Sequence, residues 1–239
     1  MEYFFIIVAM KSEANDLLKK IKVEETKNLF NYEIYLGKYN DINIILGISG
    51  VGPINISGLI HVVMLNYKIK FILNYGVVGG HGLDIHKGDL VVTTECLNGS
   101  SFITKKTGKG EGINLNNRKY QTFIETLEDI LIIEKMDNNI IEKIKEIEMD
   151  KSIKIYYGRI YSGEQWNREY DTIMFLHKNY KTLCEDMEAY AVFYNSNKYK
   201  IPFAVVKGVS NNEILNEEYD YTVMDNLLKF VEKVIIKLN

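Results

Sequence analysis

The feature that most constrains this chain is a recurring pair: an apolar run the length of a buried strand, then a glycine or polar turn leading into an amphipathic stretch. Strands are read at Tyr3–Val8, Ile42–Ile48, Lys70–Asn74, Asp89–Thr94, Ile153–Ile160 and Phe203–Val206. Several are apolar on both faces, as strands covered on both sides must be. Ala14, Leu17, Leu18 and Ile21 form one helical stripe after Ser12, a candidate N-cap, and Ile56, Leu59, Ile60, Val63 and Met64 form another after Gly52-Pro53, with proline suited to a helix's first turn. Further helices are expected over Ile140–Ile147 and Met187–Tyr194, and at the end of the chain, where Val223, Leu227, Val231, Val234 and Leu238 share a side. This alternation predicts an α/β fold, helices layered on a sheet. No linker-like stretch interrupts it, so residues 1–239 are expected to form one domain. The Lys-, Gly- and Asn-rich segment Thr104–Tyr120 reads as a long surface loop, either a lid or a solvated insertion.

Composition narrows the partners. A formal net charge of -3 leaves no basic field for a phosphate backbone, so a small molecule is expected and nucleic acid is not. The apolar run Tyr3–Met10 lacks the basic flank and small-residue cleavage site of a signal peptide. No run approaches the roughly 18 apolar residues of a spanning helix, so no membrane partner is expected. Cys96 and Cys184 are the only cysteines and lie far apart, which fits a reducing, cytoplasmic compartment and offers no thiolate metal site.

In open α/β sheets ligands collect at the carboxyl ends of the strands. Four such ends are unusual. Ala9-Met10-Lys11-Ser12-Glu13 sets a carboxylate just past a buried strand, and Ser49-Gly50-Val51-Gly52-Pro53 is a glycine turn at a helix start. Asn74-Tyr75-Gly76-Val77-Val78-Gly79-Gly80 has three glycines that let the backbone approach a ligand, and Lys207-Gly208-Val209-Ser210-Asn211-Asn212 follows the last strand.

Together these ends resemble the purine and uridine phosphorylase superfamily, and within it the methylthioadenosine/S-adenosylhomocysteine nucleosidases. The resemblance runs the whole chain. Ala9-Met10-x-x-Glu13 is similar to the opening motif of that group, Ser49 to Gly52 to its second glycine turn, Asn74 to Gly80 to its third, Lys87-Gly88-Asp89-Leu90-Val91-Val92 to the next strand entry, and Asp186-Met187-Glu188-Ala189 to its sugar-binding signature. It implies a three-layer phosphorylase/hydrolase-like fold with a central mixed twisted sheet flanked by helices. It also implies cleavage of the bond between sugar and base in a nucleoside, no metal or organic cofactor, and a homodimer or larger homo-oligomer.

The chemistry explains why those residue types suit the task. A ribose presents two neighbouring hydroxyl donors, and one carboxylate accepts both. The resemblance gives that role to Glu188, with Asp186 and Met187 beside it, and places Val51 near the 5′ group and Gly79 against the ligand. A nearby carboxylate also favours the positive charge that develops on the sugar ring as the bond breaks. Phosphorolysis requires a cationic pocket, yet Arg118, Arg159 and Arg168 are the only arginines and none stands in the first three turns. Glu13 stands there instead, a base suited to a water molecule and repulsive to phosphate, so hydrolysis is expected.

Three positions depart from the resemblance. Asn211 stands where the nucleosidases have an aspartic acid that protonates the leaving base, Val77 where they have a serine, and Lys207 where they have an arginine. An amide donates a hydrogen bond and transfers no proton, a loss of about 10²- to 10⁴-fold. A 6-oxopurine substrate, a one-residue register difference towards Asn212-Glu213, and a nucleoside-binding relative with impaired catalysis are each consistent with Ser210-Asn211. Gln165-Trp166-Asn167-Arg168 falls at the expected base pocket, where Trp166 would stack on a base and Gln165 and Arg168 would read oxygens. That last feature keeps a pyrimidine and a uridine-type phosphorylase open.

Overall fold

The computed structural model describes residues 1–112, 118–120 and 133–239. Its strands are Glu2–Val8 (β1), Lys22–Leu29 (β2), Tyr32–Tyr39 (β3), Ile42–Ile48 (β4), Lys68–Gly80 (β5), Leu90–Asn98 (β6), Phe102–Thr104 (β7), Arg118–Tyr120 (β8), Ile133–Lys135 (β9), Ile155–Ser162 (β10), Thr182–Asp186 (β11) and Phe203–Asn211 (β12). The helices are Lys11–Leu18 (α1), Pro53–Asn66 (α2), Asn138–Lys145 (α3), Tyr170–Tyr180 (α4), Ala189–Tyr199 (α5) and Val223–Leu238 (α6).

The main sheet runs β11-β10-β6-β12-β5-β1-β4-β3-β2, with β9 beside β6. It is mixed, as expected: β1 pairs in parallel with β4 and β5, and β12 in parallel with β5, while β12 and β6 are antiparallel. β11 also pairs antiparallel with β5, so five strands curl into a closed ring. Helices α2 and α5 pack together, and α6 covers β12 with α1 and α3 alongside. Phe4, Phe5, Ile6, Ile7 and Val8 are fully buried along β1, each large side chain contributing about 1.5–3 kcal/mol of burial. No helix among the described residues is long and apolar enough to cross a membrane.

The structure differs from the sequence expectations in ways that matter for function. Asn74–Gly80 and Lys207–Asn212 were expected as turns beyond strands, yet β5 runs on to Gly80 and β12 to Asn211, because each finds a pairing partner: Gly79 lies opposite Glu185 and beside Asn211. The hairpin β2–β3 escaped the apolar pattern because β2 faces solvent along most of its length. Phe30 and Asn31 both take positive φ in its two-residue turn, the backbone of a hairpin turn that matches strand twist. Ser12 is inside α1, which starts after Met10, and Glu13 reaches back to bond the main-chain N–H groups of Ala9 and Met10. The expected surface loop is bounded by the short strands β7 and β8; residues 105–112 are exposed, and 113–117 lie outside the described residues.

Candidate active site

The ends of β1, β5, β11 and β12, with the turn after β4, open on a cavity of about 540 Å³. The size suits a nucleoside-scale ligand. Of the candidates read from sequence, Glu13, Val51, Gly79, Gln165, Trp166, Asp186, Met187, Glu188, Ser210 and Asn211 line it, and Arg168 does not.

One part of the wall is acidic and built around a buried lysine. Lys207 sits in the apolar interior of β12, and its Nζ pairs with Asp186 Oδ2 at 2.8 Å, each side chain 2% exposed. Burial alone would push the ammonium down, but Asp186, Glu188 and Glu13 together hold it above its ordinary value. Asp186 also accepts the main-chain N–H of Ala189 on both oxygens, at 3.1 Å, at the start of α5. Glu188 occupies the position before α5, and its Oε1 accepts from Gly52 N at 2.7 Å. The bond ties the start of α5 to the glycine turn after β4. Gly52 takes φ +99, a backbone that L side chains rarely adopt. Burial first, then the neighbouring Asp186, pushes the Glu188 carboxyl up to about 7, with Lys207 opposing.

Glu13 is fixed by main-chain donors. Its Oε2 accepts from Ala9 N and Met10 N, both at 3.0 Å, and its Oε1 from Val77 N at 3.2 Å. Burial raises its pKa against the pull of Lys207 and these bonds. A side chain at Gly76 would meet Glu13 Oε1 at 2.5 Å, so the missing Cβ is what lets the carboxylate lie against β5.

The other part of the wall is rich in amides. Asn211 Oδ1 faces the Ser210 hydroxyl at 3.0 Å, and its Nδ2 faces Glu213 Oε1 at 3.4 Å. Asn212 turns away: its amide nitrogen donates to Gly82 and Ile85 carbonyls, and its oxygen accepts from Ile214 N. Asn211 lines the cavity, and Asn212 and Glu213 do not. Gln165 Nε2 donates to Tyr161 Oη at 2.9 Å and to Asn167 Oδ1 at 3.1 Å, into the wall. Trp166 is 55% exposed at the rim. Arg168 does not line the cavity; it pairs with Glu213 at 3.1 Å and lies over the Trp166 ring. The expected reading of ligand oxygens by Arg168 is therefore replaced by a surface ion pair.

Sequence reasoning missed Glu185 and Tyr219, which also line the cavity, and it noted Lys207 only as a departure. A lone lysine within the apolar β12 was a readable signal. Glu185 was overlooked because β11 was not recognised, and nothing around Tyr219 marked it.

Fold and cavity together define an α/β protein with a nucleoside-sized, acidic site at the ends of its strands. The phosphorylase superfamily model matches residues 3–238, and the chain belongs to that family. It is 26% identical over 225 residues to a 5′-methylthioadenosine/S-adenosylhomocysteine nucleosidase of Buchnera aphidicola, covering 93% of this chain and 83% of the relative. A Geobacillus protein of the same name is 23% identical over 210 residues, covering 86% and 84%. Among solved structures, an aspartate-to-asparagine mutant of the Helicobacter pylori nucleosidase with 5′-methylthioadenosine in its active site superposes with TM-score 0.79 at 20% identity, over 99% of both chains. A futalosine hydrolase mutant from the same species gives TM-score 0.78 at 19% identity, over 99% and 100%.

Proposed function

We propose that this chain hydrolyses the N-glycosidic bond of purine nucleosides, working in the cytoplasm as one domain over residues 1–239 and as a homodimer. The observation that carries the reading is the acidic group, in which Glu13, Asp186 and Glu188 act on one buried lysine. Glu188, anchored through one oxygen to Gly52, accepts the two ribose hydroxyls. Glu13, held by three main-chain N–H groups, orders the attacking water and takes its proton. Its raised pKa brings it closer to the working range of a base at neutral pH. As the bond breaks, the carboxylates stabilise the positive charge on the sugar, with Met187 packed at the same wall.

The same group disfavours phosphate as the nucleophile. None of Arg118, Arg159 and Arg168 lines the cavity, and Lys207 is committed to Asp186. Asn211 and Ser210 offer hydrogen bonds to the departing base, with Trp166 as a stacking surface and Gly79 leaving room for the ring. Val51, 47% exposed at the cavity mouth, faces the 5′ substituent, and exposed Ile54 beside it supports a partner subunit closing that side. The names of the similar proteins support the same chemistry.

The test is release of free base from methylthioadenosine, inosine and uridine, with and without phosphate. A purine base freed at a rate indifferent to phosphate is expected. Release that requires phosphate, or tight binding with no release from any of them, would replace this reading by a phosphorylase or a binding protein.

A further inference from the structure

We propose that Glu185 sets the base preference of this site, selecting purines that present an N–H donor on the six-membered ring, the 6-oxopurines, over adenine. The inference rests on the nucleoside reading above and deepens it. It starts from strand register. Glu185 on β11 lies opposite Gly79 on β5, and Asn211 on β12 lies beside the same glycine, so the three residues form one row across adjacent strands. The middle member has no side chain. A Cβ built on Gly79 would stand 3.6 Å from Glu185 Cγ and 3.8 Å from Asn211 Nδ2, so the two polar groups border a slot floored by backbone. All three line the cavity.

The two borders differ in what they can tell apart. An amide offers both a donor and an acceptor, so Asn211 tolerates either hydrogen-bond sense. A carboxylate facing donors only accepts. Glu185 is 4% exposed, and its surroundings are donors: Asn167 N at 2.7 Å on Oε1, and Asn167 Nδ2 at 2.6 Å with His81 Nε2 at 3.2 Å on Oε2. These contacts fix the carboxylate and take three of the roughly four lone-pair positions it offers. What remains is an acceptor. Set against the ring nitrogen beside C6, as proposed, the acceptor meets the N–H of a 6-oxopurine, whereas adenine carries a bare nitrogen there and sets lone pair against lone pair, its one donor on that edge being the neighbouring amino group. The Asn167 N–H is already given to Glu185 and cannot serve adenine. In a buried site such a mismatch is strongly selected against, because water cannot repair it.

Two measurements test this. The first uses the single tryptophan, Trp166, which lines the cavity: its fluorescence is titrated with hypoxanthine and with adenine on the unaltered protein. Hypoxanthine is expected to bind at least about tenfold more tightly. Equal or tighter binding of adenine, or no response to either base, overturns the inference, whatever the outcome for catalysis. The second compares kcat/KM for two matched pairs, methylthioinosine with methylthioadenosine and inosine with adenosine. The 6-oxo member is expected to lead by at least about tenfold, and Glu185→Gln, whose amide donates as well as accepts, to narrow the lead below about threefold. A lead that survives in Glu185→Gln overturns the assignment to this residue. Absence of turnover on all four would defeat the hydrolysis reading alone, since the fluorescence result stands apart from it.

Discussion

The acidic and amide-rich parts of the cavity wall are built differently. Around Lys207 every charged group has a fixed partner: Asp186 the ammonium and the first N–H of α5, Glu188 the Gly52 N–H, Glu13 three main-chain N–H groups. Around Asn211 the contacts pass from the Ser210 hydroxyl through the amide to Glu213, and run outward to the exposed Arg168 and Trp166. The acidic part spends folding energy on buried charge to hold a few oxygens in place, which suits a sugar and a water molecule common to many nucleosides. The amide part can exchange residues without disturbing that frame, which suits the choice of base. Glu185 differs from both, a deeply buried acid within the amide part.

The largest expected effect breaks the acidic part at its centre. Lys207→Met leaves Asp186 buried without its cation and should cost about 3–5 kcal/mol of stability, measured by urea denaturation. Activity should fall with it. A loss under 1 kcal/mol, on the order of a surface pair, would mean that the lysine does not organise the carboxylates. Glu13→Gln keeps the shape and two of the acceptor contacts but removes the base; kcat should drop about 10²- to 10⁴-fold with KM little changed. A KM effect alone would assign Glu13 to packing.

In the amide part, Asn211→Asp restores a group that can transfer a proton and should raise turnover of adenine nucleosides about tenfold or more. No change would show that the leaving base needs no acid from this position. Smaller still is the response to pH. Because Glu188 must be ionised to accept the ribose hydroxyls, kcat/KM should climb with pH through a midpoint near 7. Stability should move the opposite way. Between 4.5, its ordinary value, and about 7 the folded state keeps a proton that the unfolded chain has released, so this group's contribution is full below that window and is lost as pH rises through it. Glu188→Gln, which has no charge to desolvate, should therefore gain stability relative to the unaltered protein as pH rises from 5 to 8 and lose the advantage toward pH 5, read by urea denaturation at each pH.

Most of the frame was legible because buried strands are apolar on both faces, and β1, β4 and β12 announce themselves that way. The hairpin β2–β3 was not, since β2 is solvent-facing. Asp186, Met187 and Glu188 could be picked out because their short stretch resembles a family's sugar-binding signature, and all three line the cavity. Glu185, one residue earlier, could not: its function depends on the pairing of β11 with β5, which no local pattern encodes. The same holds for Lys207 as an organiser, because Glu13 lies far from it in the chain and Asp186 and Glu188 stand at the end of another strand. Arg168 shows the reverse failure, where residue type suggested a ligand contact and Glu213 claimed the guanidinium.

The contrast between a fixed sugar-holding part and an exchangeable base-reading part turns on Glu188 gripping the ribose diol. The direct measurement compares a ribonucleoside with its 2′-deoxy counterpart, for the unaltered protein and for Glu188→Ala. The unaltered protein should favour the ribonucleoside by about 10- to 100-fold, and Glu188→Ala should be slower on it and nearly indifferent between the two. Undiminished preference for the ribonucleoside in Glu188→Ala would contradict the account.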